Sequence, residues 1–144
     1  MESHTIAITN QENFLFGGKA TLTLKSLKTG SHYTYKIGSN KENSVFFVSL
    51  LNGPNNECDY MYMGTIFDKK NFKLTAKSKI SNEAISYKAF KYYFTNLINK
   101  QLAKIEENIA AYHNGYCCAC GRTLTTPESI TMGMGKICAS RNNI

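Results

Sequence analysis

Three observations predict an α+β fold: period-two apolar alternation with glycine-bearing turns between residues 20 and 76, helical apolar spacing after residue 80, and a terminal cysteine cluster. Together they predict an antiparallel sheet of about five strands, then a helical segment, then a small C-terminal zinc-knuckle module. The expected division is an α+β domain over residues 1–112 and a metal-binding module over 113–144.

Residues 16–19 read FGGK. Walker spacing and the hydroxyl residue after the lysine are both missing, so Gly17 and Gly18 are expected to form a bulge or turn before the first long strand and not a phosphate loop. In ATLTLKSL, Leu22 and Leu24 alternate with Thr21 and Thr23, the pattern of a half-buried strand. Thr29-Gly30 supplies a positive-φ turn, so Ala20 to Leu27 and His32 to Ile37 are predicted to form a hairpin. Tyr33 and Tyr35 fall on one face of its second strand.

SVFFVSLL is a continuous apolar run rich in β-formers and is expected to lie inside the sheet. NGPNNECD breaks either periodicity and reads as a loop. YMYMGTIF, a DKKN turn and FKLTAK complete the meander, with TIAI near the N-terminus as a further strand.

After SKISNEA the period changes. Ser81 or Asn82 can cap a helix, with Glu83 in its first turn. Phe90, Phe94, Leu97, Leu102, Ile105, Ile109 and Tyr112 then recur at helical spacing, with a break at Asn99 and Lys100. Gly115 would stop the second helix, which would deliver His113 at its end. In TTPES, Thr126 suits an N-cap and Pro127 a first turn. His4 and His32 have no partner in sequence and are expected at the surface.

The chain has 144 residues and is 42% hydrophobic and 12% aromatic, the composition of a folded domain with a real core. No run approaches the roughly 18 apolar residues of a membrane span. The first residues lack the basic and apolar regions of a signal peptide, so a cytoplasmic setting is expected, where clustered thiols bind metal more often than they form disulfides.

The formal net charge is +7. Lys69, Lys70, Lys73, Lys77, Lys79, Lys88, Lys91, Lys100 and Lys104 face a single acid, Glu83, within that stretch. Such a field favours anionic partners, nucleic acid first, although a lysine face can also serve solubility alone. Arg122 and Arg141 are the chain's only arginines, so forked base readout is not expected. Tyr33, Tyr35, Tyr60 and Tyr62 would be able to stack unpaired bases if they shared an exposed face; the alternative is that these rings fill the core.

Four of the five cysteines lie between residues 113 and 138, in HNGYCCACGRTLTTPESITMGMGKIC. Cys117 and Cys120 form a C-x2-C pair followed by Gly121, the shape of a zinc knuckle in which glycine lets backbone amides turn toward the thiolates. Cys138 is the third ligand. For the fourth, His113 arrives at H-x3-C spacing and Cys118 is the vicinal alternative. Glu128 is the module's one carboxylate, and its simplest role is to favour a helix start, so one structural Zn2+ is expected and not a catalytic one. Neither a catalytic triad order nor paired carboxylates stand out, and no enzyme is expected.

The module resembles the C-terminal part of a family of uncharacterised proteins from bacteriophages and mobile elements, whose pattern runs H, glycine, C-x2-C-G-R, L-T, P-E-S-I, G-x-G and a final cysteine. The resemblance implies His113, Cys117, Cys120 and Cys138 as ligands, with Gly121, Arg122, Leu124, Thr125, Pro127, Glu128, Ser129, Ile130, Gly133 and Gly135 as framework. Lys136 stands where such proteins usually carry proline. A looser similarity extends upstream through FGGKATLTLKSLKTGSHYTYKI and LLNGPNNECDYMYMGTI. It implies no activity.

The functional expectation is a phage accessory protein in the host cytoplasm. It would bind nucleic acid through Lys69, Lys70, Lys73, Lys77, Lys79, Lys88, Lys91, Tyr33 and Tyr35. The alternatives are an inhibitor of a host defence or replication protein, or a sequestering protein for a small anionic signal held among Lys19, Lys36 and tyrosines.

Overall fold

The computed structural model describes residues 4–53 and 59–141. It is an α+β fold built on a seven-stranded antiparallel sheet: β1 His4–Thr5, β2 Lys19–Ser26, β3 His32–Ser39, β4 Val45–Leu51, β5 Tyr60–Phe67, β6 Asn71–Lys73 and β7 Ile109–His113. Their order across the sheet is β1-β7-β2-β3-β4-β5-β6. Five helices accompany it: α1 Gln11–Leu15, α2 Ile85–Ile98, α3 Leu102–Asn108, α4 Pro127–Met132 and α5 Lys136–Arg141. No helix among the described residues is long and apolar enough to cross a membrane.

The hairpin forms as its alternation requires, with Lys19 opposite Gly38 and Lys25 opposite His32. Gly30 takes the positive φ of 77° at the turn. The meander continues through β4, β5 and a short β6.

On one face of the sheet, Leu22, Tyr35, Ile37, Val48 and Ile66 are buried together with Phe90, Phe94 and Leu97 of α2. Burying such side chains contributes roughly 1.5–3 kcal/mol each, which is what fixes the helix to the sheet. Two buried polar links add direction. Tyr35 donates its hydroxyl to the Ser86 carbonyl at 2.6 Å. Tyr93 donates to Gln11 Oε1 at 2.8 Å, while Gln11 Nε2 donates to the Ile6 carbonyl at 2.9 Å.

The helical region departs from expectation in two places. α2 begins at Ile85, with Ala84 at its N-cap and no capping side chain; Ser81 instead accepts the Glu83 amide within the preceding turn. The break falls at Asn99 and Lys100, the latter at φ 61°. The helix then ends at Asn108, and residues 109–113 form β7 between β1 and β2. Ile105, Ile109 and Tyr112 satisfy helical spacing locally, but residues 109–113 as a strand close two ladders at once, and buried backbone groups demand such partners. The expected boundary between residues 112 and 113 lies inside this strand.

Candidate functional site

The C-terminal segment leaves the sheet at His113 and folds back at once. Tyr116 bridges Thr123, and the Leu124 amide donates to the Gly115 carbonyl at 2.9 Å, which closes a small hairpin. At its tip Cys117 accepts and donates through its backbone: the Gly121 amide bonds its carbonyl at 2.9 Å, and its own amide bonds the Arg122 carbonyl at 2.8 Å. Gly121 takes φ 81°, the conformation a knuckle requires after its second cysteine. α4 follows with Thr126 accepting the Ser129 amide, Pro127 in the first turn, and Gly133 ending the helix at φ 71°. α5 then delivers Cys138.

The sulfur atoms of Cys117, Cys120 and Cys138 all lie within 4.8 Å of one another. Three corners of a zinc tetrahedron with bonds of about 2.3 Å would sit roughly 3.8 Å apart, so the three thiols can hold a metal ion after a small inward adjustment. The chemistry of the site points the same way. Burial raises the Cys117 thiol, but amides at Gly135, Cys120 and Ala119 outweigh it and bring its pKa down to about 7. Two of these contacts are direct, from Gly135 at 3.3 Å and Ala119 at 3.4 Å. Cys138 is pushed up to about 11, by burial first and then by its hydrogen bonds to Cys120 and Cys117. The amide hydrogen bonds on Cys117 thus favour its thiolate form, the form in which a cysteine binds metal.

Among the described residues, neither His113 nor Cys118 brings a ligand atom into the cluster of the three sulfurs. His113 is nearly fully buried, with Nε2 against the Ile130 carbonyl at 2.6 Å and Nδ1 accepting the Gly115 amide at 2.9 Å. Both ring nitrogens are thus used, because β7 turns this side chain inward beneath α4. Burial, the leading cause, holds its pKa below the usual value. His4, expected at the surface, pairs with His113 across the β1–β7 ladder and stacks on it at 5.2 Å between ring centres.

Cys118 is also turned away. It is fully buried, its amide donates to the Gly133 carbonyl at 2.9 Å, and its carbonyl accepts the Lys19 amide at 2.6 Å. A Cβ on Gly17 would collide with its sulfur at 2.5 Å, so the glycine is there to admit the thiol. Burial drives that thiol's pKa strongly upward. Cys118 locks the hairpin to the start of β2, a role sequence spacing could not reveal. Among the described residues no other cysteine, histidine or carboxylate joins the cluster.

The expected nucleic-acid residues divide into separate places. Tyr35 is fully buried under α2 and cannot meet a ligand. The sheet's pleat explains this, since Tyr35 is paired with Leu22 and Leu50 on the face that the helix covers. Tyr60 and Tyr62 lie toward the other face, where Lys36 sits over the Tyr60 ring at 4.3 Å and Tyr62 bonds Thr65 and Thr75. The four tyrosines do not form one platform.

Lys69, Lys70, Lys73, Lys77 and Lys79 are exposed along the β5–β6 turn, β6 and the loop that follows. Lys91 donates to the Phe72 carbonyl at 3.1 Å and so belongs to this edge. Lys88 lies on another flank of α2, where it lines a groove together with Tyr33. This groove of about 500 Å³ runs between the β2–β3 hairpin and α2, with Tyr33, Tyr92 and Ile85 among its apolar walls and Lys25, Lys28 and Lys88 among its cations. No carboxylate lines it among the described residues. Lys25 and Lys28 are the residues sequence reading missed; their signal was two lysines three residues apart leading into the predicted turn. Lys19 and Lys36 line a different pocket of about 330 Å³ that contains no tyrosine.

A model for a family of unknown function, DUF6011, matches residues 110–143, a stretch that starts within β7 and includes the cysteine hairpin, α4 and α5. No curated protein matches the chain, and no solved structure matches it.

Proposed function

We propose that this chain is a nucleic-acid-binding protein that uses single strands as its ligand and carries one structural zinc ion at Cys117, Cys120 and Cys138. The observation that carries the reading is the groove between the β2–β3 hairpin and α2, where the exposed ring of Tyr92 and the half-buried ring of Tyr33 adjoin three lysines without an opposing acid among the described residues. Aromatic faces stack unpaired bases with little regard to sequence, and lysines neutralise the phosphates that flank them. Lys69, Lys70, Lys73, Lys77, Lys79 and Lys91 would extend the positive field along the β6 edge and steer association.

Zinc fits the donor set because thiolates at short spacing, supported by amide hydrogen bonds, suit a soft tetrahedral site. In this reading the ion fastens α5 to the hairpin and supplies no reaction, and the chain works by binding. The C-terminal pattern's similarity to phage and mobile-element proteins supports an accessory role in a host cytoplasm.

The test is a titration with labelled single-stranded and double-stranded DNA and RNA across a salt series. Tight single-strand binding that weakens steeply with salt supports the reading, and negligible affinity at low salt contradicts it. A stoichiometric host protein retained from nuclease-treated lysate would instead favour a protein-directed inhibitor. Saturable binding of a mononucleotide with no preference for longer strands would favour sequestration of a small anionic signal.

A further inference from the structure

The spacing around the metal centre contains a second, incomplete knuckle. Cys117 and Cys120 are three residues apart, and Gly135 stands at the same distance before Cys138. A fourth cysteine at residue 135 would give the two C-x2-C pairs of a closed four-thiolate site. Gly135 lies against the cluster, its amide 3.3 Å from Cys117 Sγ. A Cβ built on it meets nothing within 4 Å, and its φ is not in the left-handed region, so neither packing nor backbone geometry requires glycine here. The groove of about 380 Å³ in front of the three sulfurs reaches Gly135.

We propose that the metal keeps its fourth position open beside Gly135 and takes a small anionic ligand there. This deepens the metal-centre reading above and rests on it. The two expected protein ligands are withdrawn, His113 into its bonds with Ile130 and Gly115 and Cys118 against Gly17. A divalent ion with three thiolates carries one net negative charge, which on its own would repel a further anion. Arg122, Lys136 and Arg141 line the groove and offset it, and Lys136 meets the acid Glu128 at 3.6 Å on the exposed side. No carboxylate lines the groove among the described residues, so the ligand-facing side is cationic and hydroxyl-rich. The ligand would replace a metal-bound water in a simple exchange without redox change.

The full chain loaded with Co2+ tests this, with azide and then inorganic phosphate as probes. The thiolate-to-cobalt absorption should correspond to three sulfurs, and azide should shift the visible cobalt bands saturably. Gly135→Cys should raise the sulfur count to four and abolish the azide response with cobalt content unchanged. Gly135→Ala should keep the response, which separates ligation from mere filling of space. Arg122→Gln should weaken azide several-fold while cobalt content and circular dichroism stay the same; this variant decides the matter even if Gly135→Cys fails to fold. A cobalt-loaded wild-type chain that is indifferent to both anions, or that shows four sulfurs, overturns the open position and leaves the metal centre standing. A chain that retains no cobalt overturns both.

Discussion

The imidazole of His113 donates Nε2–H to the carbonyl of Ile130 at 2.6 Å while its Nδ1 accepts the Gly115 amide at 2.9 Å. This makes the histidine a strut between β7 and α4 in a place where its spacing from Cys117 suggests a ligand. His113→Gln should therefore leave metal stoichiometry unchanged and cost about 1–3 kcal/mol of stability, through the loss of two part-buried hydrogen bonds, to the Ile130 carbonyl and from the Gly115 amide. Elemental analysis and urea unfolding measure the two effects separately.

The same bonds set a pH dependence. Burial, aided by neighbouring His4 and opposed by the Ile130 bond, lowers the His113 pKa below its ordinary 6.5. Below that value the unfolded chain binds a proton that the folded chain refuses, so stability should fall as pH drops through 6.5 toward the lower folded pKa. Acid also competes with metal for thiolates, so the comparison is with His113→Gln. That variant should lose less stability than wild type between about pH 7.5 and pH 5.5, and an identical loss would contradict the assignment.

Cys118 and Cys120 should respond in opposite ways. Cys118→Ala removes a buried small hydrophobe and should reduce stability with one metal ion retained. If instead Cys118→Ala loses the metal, the buried sulfur is a ligand after all.

Gly133 carries a double constraint. It ends α4 at φ 71°, and an added Cβ would run into the ring of Phe14. Gly133→Ala should cost about 2–4 kcal/mol, combining left-handed strain with overpacking. A thermal shift near zero would mean that the α1–α4 contact is loose.

In the groove, Lys88→Gln should weaken single-strand binding across all sequences and reduce the salt slope by about 1. Tyr33→Ala should cost about 1–3 kcal/mol if a base stacks there, with the loss confined to single strands. Tyr35→Phe should leave affinity unchanged, since that hydroxyl is buried against Ser86.

The elements legible in the sequence were those whose determinants are local. Leu22 and Leu24 alternating with threonines, Thr29-Gly30 at a turn, and Thr126-Pro127 before α4 each specify their own conformation. The cysteine cluster was legible for the same reason, because Cys117, Cys120 and Gly121 define the knuckle within five residues. β7 was not, since Ile105, Ile109 and Tyr112 continue a helical stripe and only the slot between β1 and β2 selects a strand. That one change of element carries His113 inward. Period-two alternation likewise put Tyr33 and Tyr35 on one face, but which face α2 covers is a tertiary fact. The groove joining Lys25 and Lys28 to Lys88 depends on that same packing.

Elemental analysis of the purified chain beside Cys120→Ser tests the metal centre most directly. The account predicts about one zinc per wild-type chain and none in the variant, with loss of ordered structure around α4 and α5. Wild-type protein that folds fully with no bound metal, after refolding with zinc present, would contradict it.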